Sequence, residues 1–201
     1  MKKETYNEEN DLAALKHKDK GAFARLVDAN SDKIYRLGLK MLGNEQDAED
    51  VLQETFVKAY KNIDTFEGRS KVSTWLYRIA VNETLMLLRK RKGVLVNLDA
   101  DIETDQGEIV PRQIVDWCCL PEKELMSSES RQAINRAIDS LSDANKAAFL
   151  LRDVEGLSTR EAADVLEISE SALKVRLMRA RLELREILTH YYAEKLPGRF
   201  T

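Results

Sequence analysis

The sequence predicts an all-α chain made of two small helical domains joined by an acidic linker. Three observations predict it. No period-two apolar alternation runs long enough for a strand. Gly43, Gly68, Gly93, Gly107 and Gly156 stand at plausible turns between runs of helical periodicity. Of the 3 prolines, Pro111 and Pro121 lie in the middle and Pro197 near the end, so both flanks are free to form helix. The 201 residues have room for one ordinary domain or two small ones, and 43% hydrophobic residues are enough for packed cores. The expected organisation is a leader over 1–20, a first block over 21–93, a linker over 94–128, a second block over 129–193 and a tail over 194–201.

In the first block, a helix through Phe23, Leu26 and Val27 leads into another through Ile34, Leu37 and Met41, ending near Gly43. A third places Ala48, Leu52, Thr55, Phe56, Ala59 and Ile63 on one face. Asp50, Gln53, Glu54, Val57 and Lys61 lie opposite. A fourth begins near Ser73 and runs through Trp75, Leu76, Ile79, Leu87 and Leu88 to the cluster Arg89-Lys90-Arg91-Lys92. Such cations also suit a helix C-terminus.

The stretch 94–128 has no sustained period and carries an acidic run at Asp99, Asp101, Glu103, Asp105 and Glu108. It reads as a self-repelling tether, with Ile114, Val115, Trp117 and Leu120 as an apolar strip able to hold the blocks together. The blocks are therefore expected to be separate domains whose relative placement is set by partners.

In the second block, a helix through Ile134, Ala137 and Ile138 ends at Leu141. Ser142 is expected to cap a helix through Ala147, Phe149, Leu150 and Val154, closed by Gly156. Ser158 and Glu161 fit a capping box opening a short helix with Ala162, Val165 and Leu166. Ser169 can cap a longer last helix burying Leu173, Leu177, Ala180, Leu184 and Ile187.

The net charge of −3 is less informative than its distribution. Basic residues gather at Arg69, Lys71, Arg78 and 89–92, and again at Lys174, Arg176, Arg179, Arg181 and Arg185. Two basic surfaces separated by an acidic stretch suggest two nucleic-acid contacts on one tether. The short capped helix, turn and longer basic helix form a helix-turn-helix pattern. Its second helix offers Ser171, Lys174, Val175, Arg176, Met178 and Arg179 to a major groove, although a solvated basic face fits the same spacing. Trp75 and Tyr77, near Phe66 and among Arg69, Lys71 and Arg78, suit stacked single-stranded bases; for Trp75 alone, a core position fits as well. The face with Asp50, Gln53 and Glu54 has no nucleic-acid use and reads as protein-docking or merely solvated.

No phosphate-cradling glycine loop, no histidine beside a nucleophile and no metal-ligand cluster emerges, so an enzyme is the least expected class and no cofactor or small-molecule substrate is expected. No apolar run reaches the roughly 18 residues of a membrane span, and Met1-Lys2-Lys3-Glu4-Thr5 opens no secretory signal. Cys118 and Cys119 are adjacent, an arrangement that fits a reducing compartment. A cytoplasmic protein with no direct membrane insertion is expected.

Asp47-Ala48-Glu49-Asp50-Val51-Leu52-Gln53-Glu54-Thr55-Phe56 resembles the polymerase-binding helix of sigma region 2. Phe66-Glu67-Gly68 and Ser73-Thr74-Trp75-Leu76-Tyr77-Arg78-Ile79-Ala80, with Asn82, resemble its promoter-melting and minus-ten segment. Leu150-Leu151-Arg152-Asp153-Val154-Glu155-Gly156-Leu157-Ser158, Glu161-Ala162-Ala163 and Lys174-Val175-Arg176-Leu177-Met178-Arg179-Ala180-Arg181 resemble sigma region 4. The order, with no region 3 between, is similar to that of extracytoplasmic-function (ECF) sigma factors. The resemblance implies a non-enzymatic subunit that binds core RNA polymerase and promoter DNA, under an anti-sigma factor in many members.

It also implies residue roles. Asp47, Asp50, Gln53 and Glu54 would dock on the β′ clamp helices. Lys71, Ser73, Trp75, Arg78, Asn82 and Arg89 would handle minus-ten DNA, with a flipped base captured near Asn82. Ser171, Lys174, Val175, Arg176, Arg179 and Arg181 would grip the minus-thirty-five duplex, region 4 also touching the β flap. The chain departs from the family pattern at Val72, Val81, Ser171-Ala172 and Glu167, where glycine is common. A sigma mimic that binds only an anti-sigma factor, and a dimeric helix-turn-helix repressor, are the rival classes. The first should lack the last helix's basic cluster. The second would not need the acidic helix or the aromatic-basic block.

Overall fold

The computed structural model describes residues 6–93 and 128–195. Every regular element among them is helical. The linker strip and the cysteine pair lie outside the described residues.

The first helix, α1 (Glu8–Lys16), falls within what the sequence marks only as a leader. Two polar ties seat it. The Asp11 carboxylate, almost wholly buried, accepts from the Arg25 guanidinium and from the Asn7 backbone N–H at 3.0 Å. The Glu8 carboxylate accepts the Val72 N–H at 2.6 Å, satisfying one of the orphan donors at the start of a later helix.

The next helix, α2 (Lys20–Leu42), is continuous where the sequence suggested two. Residues 28–32 hold no glycine or proline. The polar side chains there fold back onto their own helix: Asn30 Nδ2 donates to the Leu26 carbonyl at 2.9 Å and Ser31 Oγ to that of Val27 at 2.6 Å. Asp19 caps its start through the Ala22 N–H, and Gly43, at φ 67°, ends it in the left-handed conformation.

Asn44 caps α3 (Glu45–Asn62), which a 3₁₀ turn over Ile63–Thr65 closes. The helix buries Ala48, Val51, Thr55, Phe56 and Ala59 against α2. Its predicted outer residues Asp50, Gln53, Glu54, Val57 and Lys61 are all exposed. α4 (Val72–Lys92) follows, with Leu76, Ala80 and Val81 at the centre of the first block's core. Truncating Leu76 to alanine would cost roughly 2–5 kcal/mol.

The second block opens with α5 (Ser128–Ser140). Ser142 caps α6 (Asp143–Phe149), which widens into a π turn over Leu150–Val154 before Gly156 at φ 75°. The widened turn is not visible in the residue periodicity. α7 (Thr159–Leu166) has both hydrogen bonds of the expected capping box, Glu161 N–H to Ser158 Oγ at 3.1 Å and Ser158 N–H to Glu161 Oε2 at 2.9 Å. Accepting that backbone N–H holds the Glu161 carboxyl below its ordinary range. Ser169 Oγ accepts the Ala172 N–H at 3.1 Å and starts α8 (Glu170–Lys195), which buries Leu173, Leu177, Ala180 and Leu184.

The buried residues of both blocks form one contiguous cluster, joined where α4 packs on α7 and α2 meets α6. The two blocks thus touch directly, through helices rather than only through a tether.

Candidate nucleic-acid interface

Three surfaces carry the predicted residues. The first is the outer face of α3. Asp50, Gln53 and Glu54 are exposed there, at the rim of a groove between α3 and α4 lined by Asp50, Val51, Glu54, Glu83, Met86 and Lys90. Lys58 bridges it, donating to Glu83 Oε1 at 2.6 Å with Glu54 Oε1 at 3.7 Å, and those carboxylates raise its pKa. Asp47 differs from its three companions. It is largely buried and ion-paired with Arg91 of α4, so its charge ties two helices together. Met86, 56% exposed, was missed by the sequence reading. It lies in the unbroken apolar run 85–88, where periodicity gives no face.

The second surface is a stripe along α4. At about 100° per residue, Lys71, Trp75, Arg78, Asn82 and Arg89 fall within one narrow arc. Ser73 lies some 200° from Lys71 and leaves that arc. Lys71 sits at the N-cap position, Asn82 is exposed, and Trp75 is half-buried against Phe66, with ring centroids 5.5 Å apart and planes tilted by 50°. Trp75 is therefore packed in part against the core and open in part to solvent. Arg78 is engaged within the chain. Its Nε and Nη2 donate to the Asp164 carbonyl of α7 at 3.0 and 2.6 Å.

The third surface is the outer stripe of α8. Ser171, Lys174, Val175, Met178, Arg179 and Leu182 follow the i, i+3, i+4, i+7, i+8, i+11 pattern and are all exposed. Arg176 lies off this stripe and is half-buried. Arg181 also leaves it. Its guanidinium grips the Asp153 carboxylate with two hydrogen bonds of 2.9 and 2.7 Å, which push its pKa up further. Arg181 thus braces α8 against the π turn, a tertiary pairing that sequence spacing did not reveal. Leu182 joins the exposed stripe without having been singled out beforehand.

The turn between α7 and α8 is built on Glu167, whose φ of 54° is left-handed, with its N–H donated to the Ala163 carbonyl. A helix closed by a left-handed residue, a short turn and a serine-capped second helix is the helix-turn-helix geometry. The open N-terminal half of α8 is the part that such a unit presents to DNA.

The Sigma-70 region 2 family model matches residues 26–94, and the Sigma-70, region 4 model matches residues 131–184. The ECF RNA polymerase sigma factor SigW of Bacillus subtilis is 41% identical over 177 residues, 88% of this chain and 94% of that protein. The chain belongs to the ECF sigma factor family. The ECF RNA polymerase sigma-E factor of Haemophilus influenzae is 36% identical over 163 residues, 81% of this chain and 85% of that protein. A solved structure of CnrH in complex with the cytosolic domain of CnrY aligns with a TM-score of 0.66 at 22% identity, covering 91% of this chain and 97% of that one, which supports the fold. The two matched segments fall on the two helical blocks: α4 belongs to region 2, and the helix-turn-helix to region 4. As a sigma factor, the chain is a transcription initiation factor. Among the described residues, no helix is long and apolar enough to cross a membrane.

Proposed function

We propose that this ECF sigma factor acts as a non-enzymatic cytoplasmic subunit that binds core RNA polymerase through the α3 face, opens minus-ten DNA with the α4 stripe and reads the minus-thirty-five duplex with α8. The observation that carries the reading is the pairing of two unlike nucleic-acid surfaces on one chain. The α8 stripe mixes Lys174 and Arg179 with exposed Val175 and Met178. Cations suit guanine edges and phosphates, and apolar tips suit thymine methyls, so this is a surface for duplex readout. The α4 stripe sets cations beside a half-open indole ring, which suits unstacked bases. Extruding a base costs a few kcal/mol, and Asn82, exposed in the middle of that stripe, would hydrogen-bond the extruded edge.

Asp50, Gln53 and Glu54 supply an acidic-polar docking face for the β′ clamp helices, with Met86 as an apolar contact in the groove beside them. Region 4 would also meet the β flap. Control by an anti-sigma factor follows from family membership as part of the same proposal. The sigma-mimic alternative is disfavoured by the intact cationic stripe of α8. The deciding experiment adds the purified chain to core RNA polymerase and measures initiation on promoter DNA recovered by its occupancy in cells. Specific initiation is expected. Its absence, with the chain folded and bound to polymerase, would reject the reading.

A further inference from the structure

We propose that Glu83 of α4 is a positioning residue for polymerase docking: it draws the Lys58 ammonium across to α4, so that the Glu54 carboxylate on the outer face of α3 is left for the polymerase. The proposal rests on the assignment of that face to docking. The sequence of α3 by itself favours a different pairing. Asp50, Glu54 and Lys58 form one i, i+4, i+8 row along the helix, and a glutamate four residues before a lysine is the order in which such pairs stabilise a helix. An isolated α3 would therefore close Lys58 onto Glu54 and cancel the charge of one docking carboxylate. In the folded chain the lysine goes elsewhere. Lys58 Nζ donates to Glu83 Oε1 at 2.6 Å and stays 3.7 Å from Glu54 Oε1, beyond hydrogen-bond range.

Exposure explains which carboxylate wins. The Glu83 side chain is only 12% exposed and that of Glu54 48%, so the pair with Glu83 is less screened by water and salt. Hydrogen bonding to Glu83 raises the Lys58 pKa against the burial that opposes it, and the ammonium keeps its charge. A lysine that stays charged needs an anion within reach. Without the charge of Glu83, a small shift of Lys58 would bring it onto Glu54. With Glu83 in place, a partner that reaches this face meets the Asp50 and Glu54 carboxylates beside the apolar side chains of Val51, Met86 and Leu87, while the nearby cation is held against α4.

The test measures binding of the full chain to core RNA polymerase without DNA, which keeps neighbouring Asn82 and the α4 stripe out of the readout. Circular dichroism is recorded for each variant. Glu83→Gln removes the charge and keeps the length of the side chain. It should weaken binding roughly threefold to fivefold, the scale of one exposed charge contact. Lys58→Gln with Glu83→Gln removes the cation as well, leaves Glu54 uncancelled and should restore binding to within about twofold of the wild type. A role limited to bracing the two helices predicts the opposite, since the double variant lacks the brace too. Asp32→Asn makes the same change in charge on an exposed residue of α2 and should leave binding unchanged. Unchanged affinity in Glu83→Gln would overturn the proposal, and so would a double variant as weak as the single one. If Asp50→Lys with Glu54→Lys also leaves affinity unchanged, the docking reading of α3 falls with it. If that reversal weakens binding while Glu83→Gln does not, only the positioning role of Glu83 falls.

Discussion

α4 and α8 are both long helices with one buried face and one cationic stripe, yet their stripes stand in different surroundings. The α8 stripe is bounded by a short capped helix and faces solvent along its N-terminal half. The α4 stripe is bordered by the Phe66–Trp75 ring pair, and Lys71 and Arg78 within it are met by oxygens of region 4. A helix meant for a duplex needs an open cylinder that fits a groove about 12 Å wide. A helix that takes a single strand needs a ring and nearby cations. Composition alone makes the two helices look alike; their neighbours set them apart.

The largest expected effect would silence both stripes together. Asp50→Lys with Glu54→Lys reverses the α3 face without touching buried Phe56, and should weaken core polymerase binding at least tenfold with the circular dichroism spectrum unchanged. Unaltered polymerase affinity would separate α3 from docking. A smaller and one-sided effect is expected from Lys174→Ala and Arg179→Ala. Each should cost duplex minus-thirty-five binding about 1–3 kcal/mol where a bidentate base contact is lost, and leave single-stranded binding alone. Arg181→Ala should cost duplex affinity less than Arg179→Ala, because Arg181 is already committed to Asp153. Equal losses in gel-shift titrations would return Arg181 to the DNA face.

The next effect belongs to region 2 alone. Hydrogen bonding from Arg25 holds the Asp11 carboxyl below the usual carboxylate range. Stability from a depressed carboxylate is present above its unfolded pKa and is lost as pH falls through the folded one. Asp11→Asn should therefore cost about 1–2 kcal/mol at pH 7 in urea titrations and flatten the loss of stability below pH 4. An unchanged acid profile would mean that α1 is not held by this pair. The smallest effect lies at the junction. Glu167→Gly relieves a left-handed non-glycine residue and should stabilise region 4 by about 1 kcal/mol in a thermal melt, while removing one ion pair from the α4 contact.

Caps and faces were the most legible features. Ser142, Ser158 with Glu161 and Ser169 each cap as their spacing predicts, because a cap is a local hydrogen bond between residues three apart. The split of α3 into buried and exposed faces was legible for the same reason. Long-range polar pairing was not. Asp47 with Arg91, Asp153 with Arg181 and Glu8 with the Val72 N–H join residues far apart in sequence, and no period announces them. That is why α1 looked like a leader and why Asp47 and Arg181 looked like surface contacts. Arg78 could be recognised as a cation on the same face as Lys71 and Trp75, but its carbonyl partner at Asp164 exists only once the two blocks are packed.

The division of labour between α4 and α8 is tested most directly by permanganate footprinting of an occupied promoter in the reconstituted holoenzyme. With Asn82→Ala, the minus-thirty-five duplex should be bound as in the wild type while the minus-ten thymines stay unreactive. With Arg179→Ala, occupancy itself should fall. Wild-type thymine reactivity in the Asn82→Ala holoenzyme would contradict base capture by the α4 stripe.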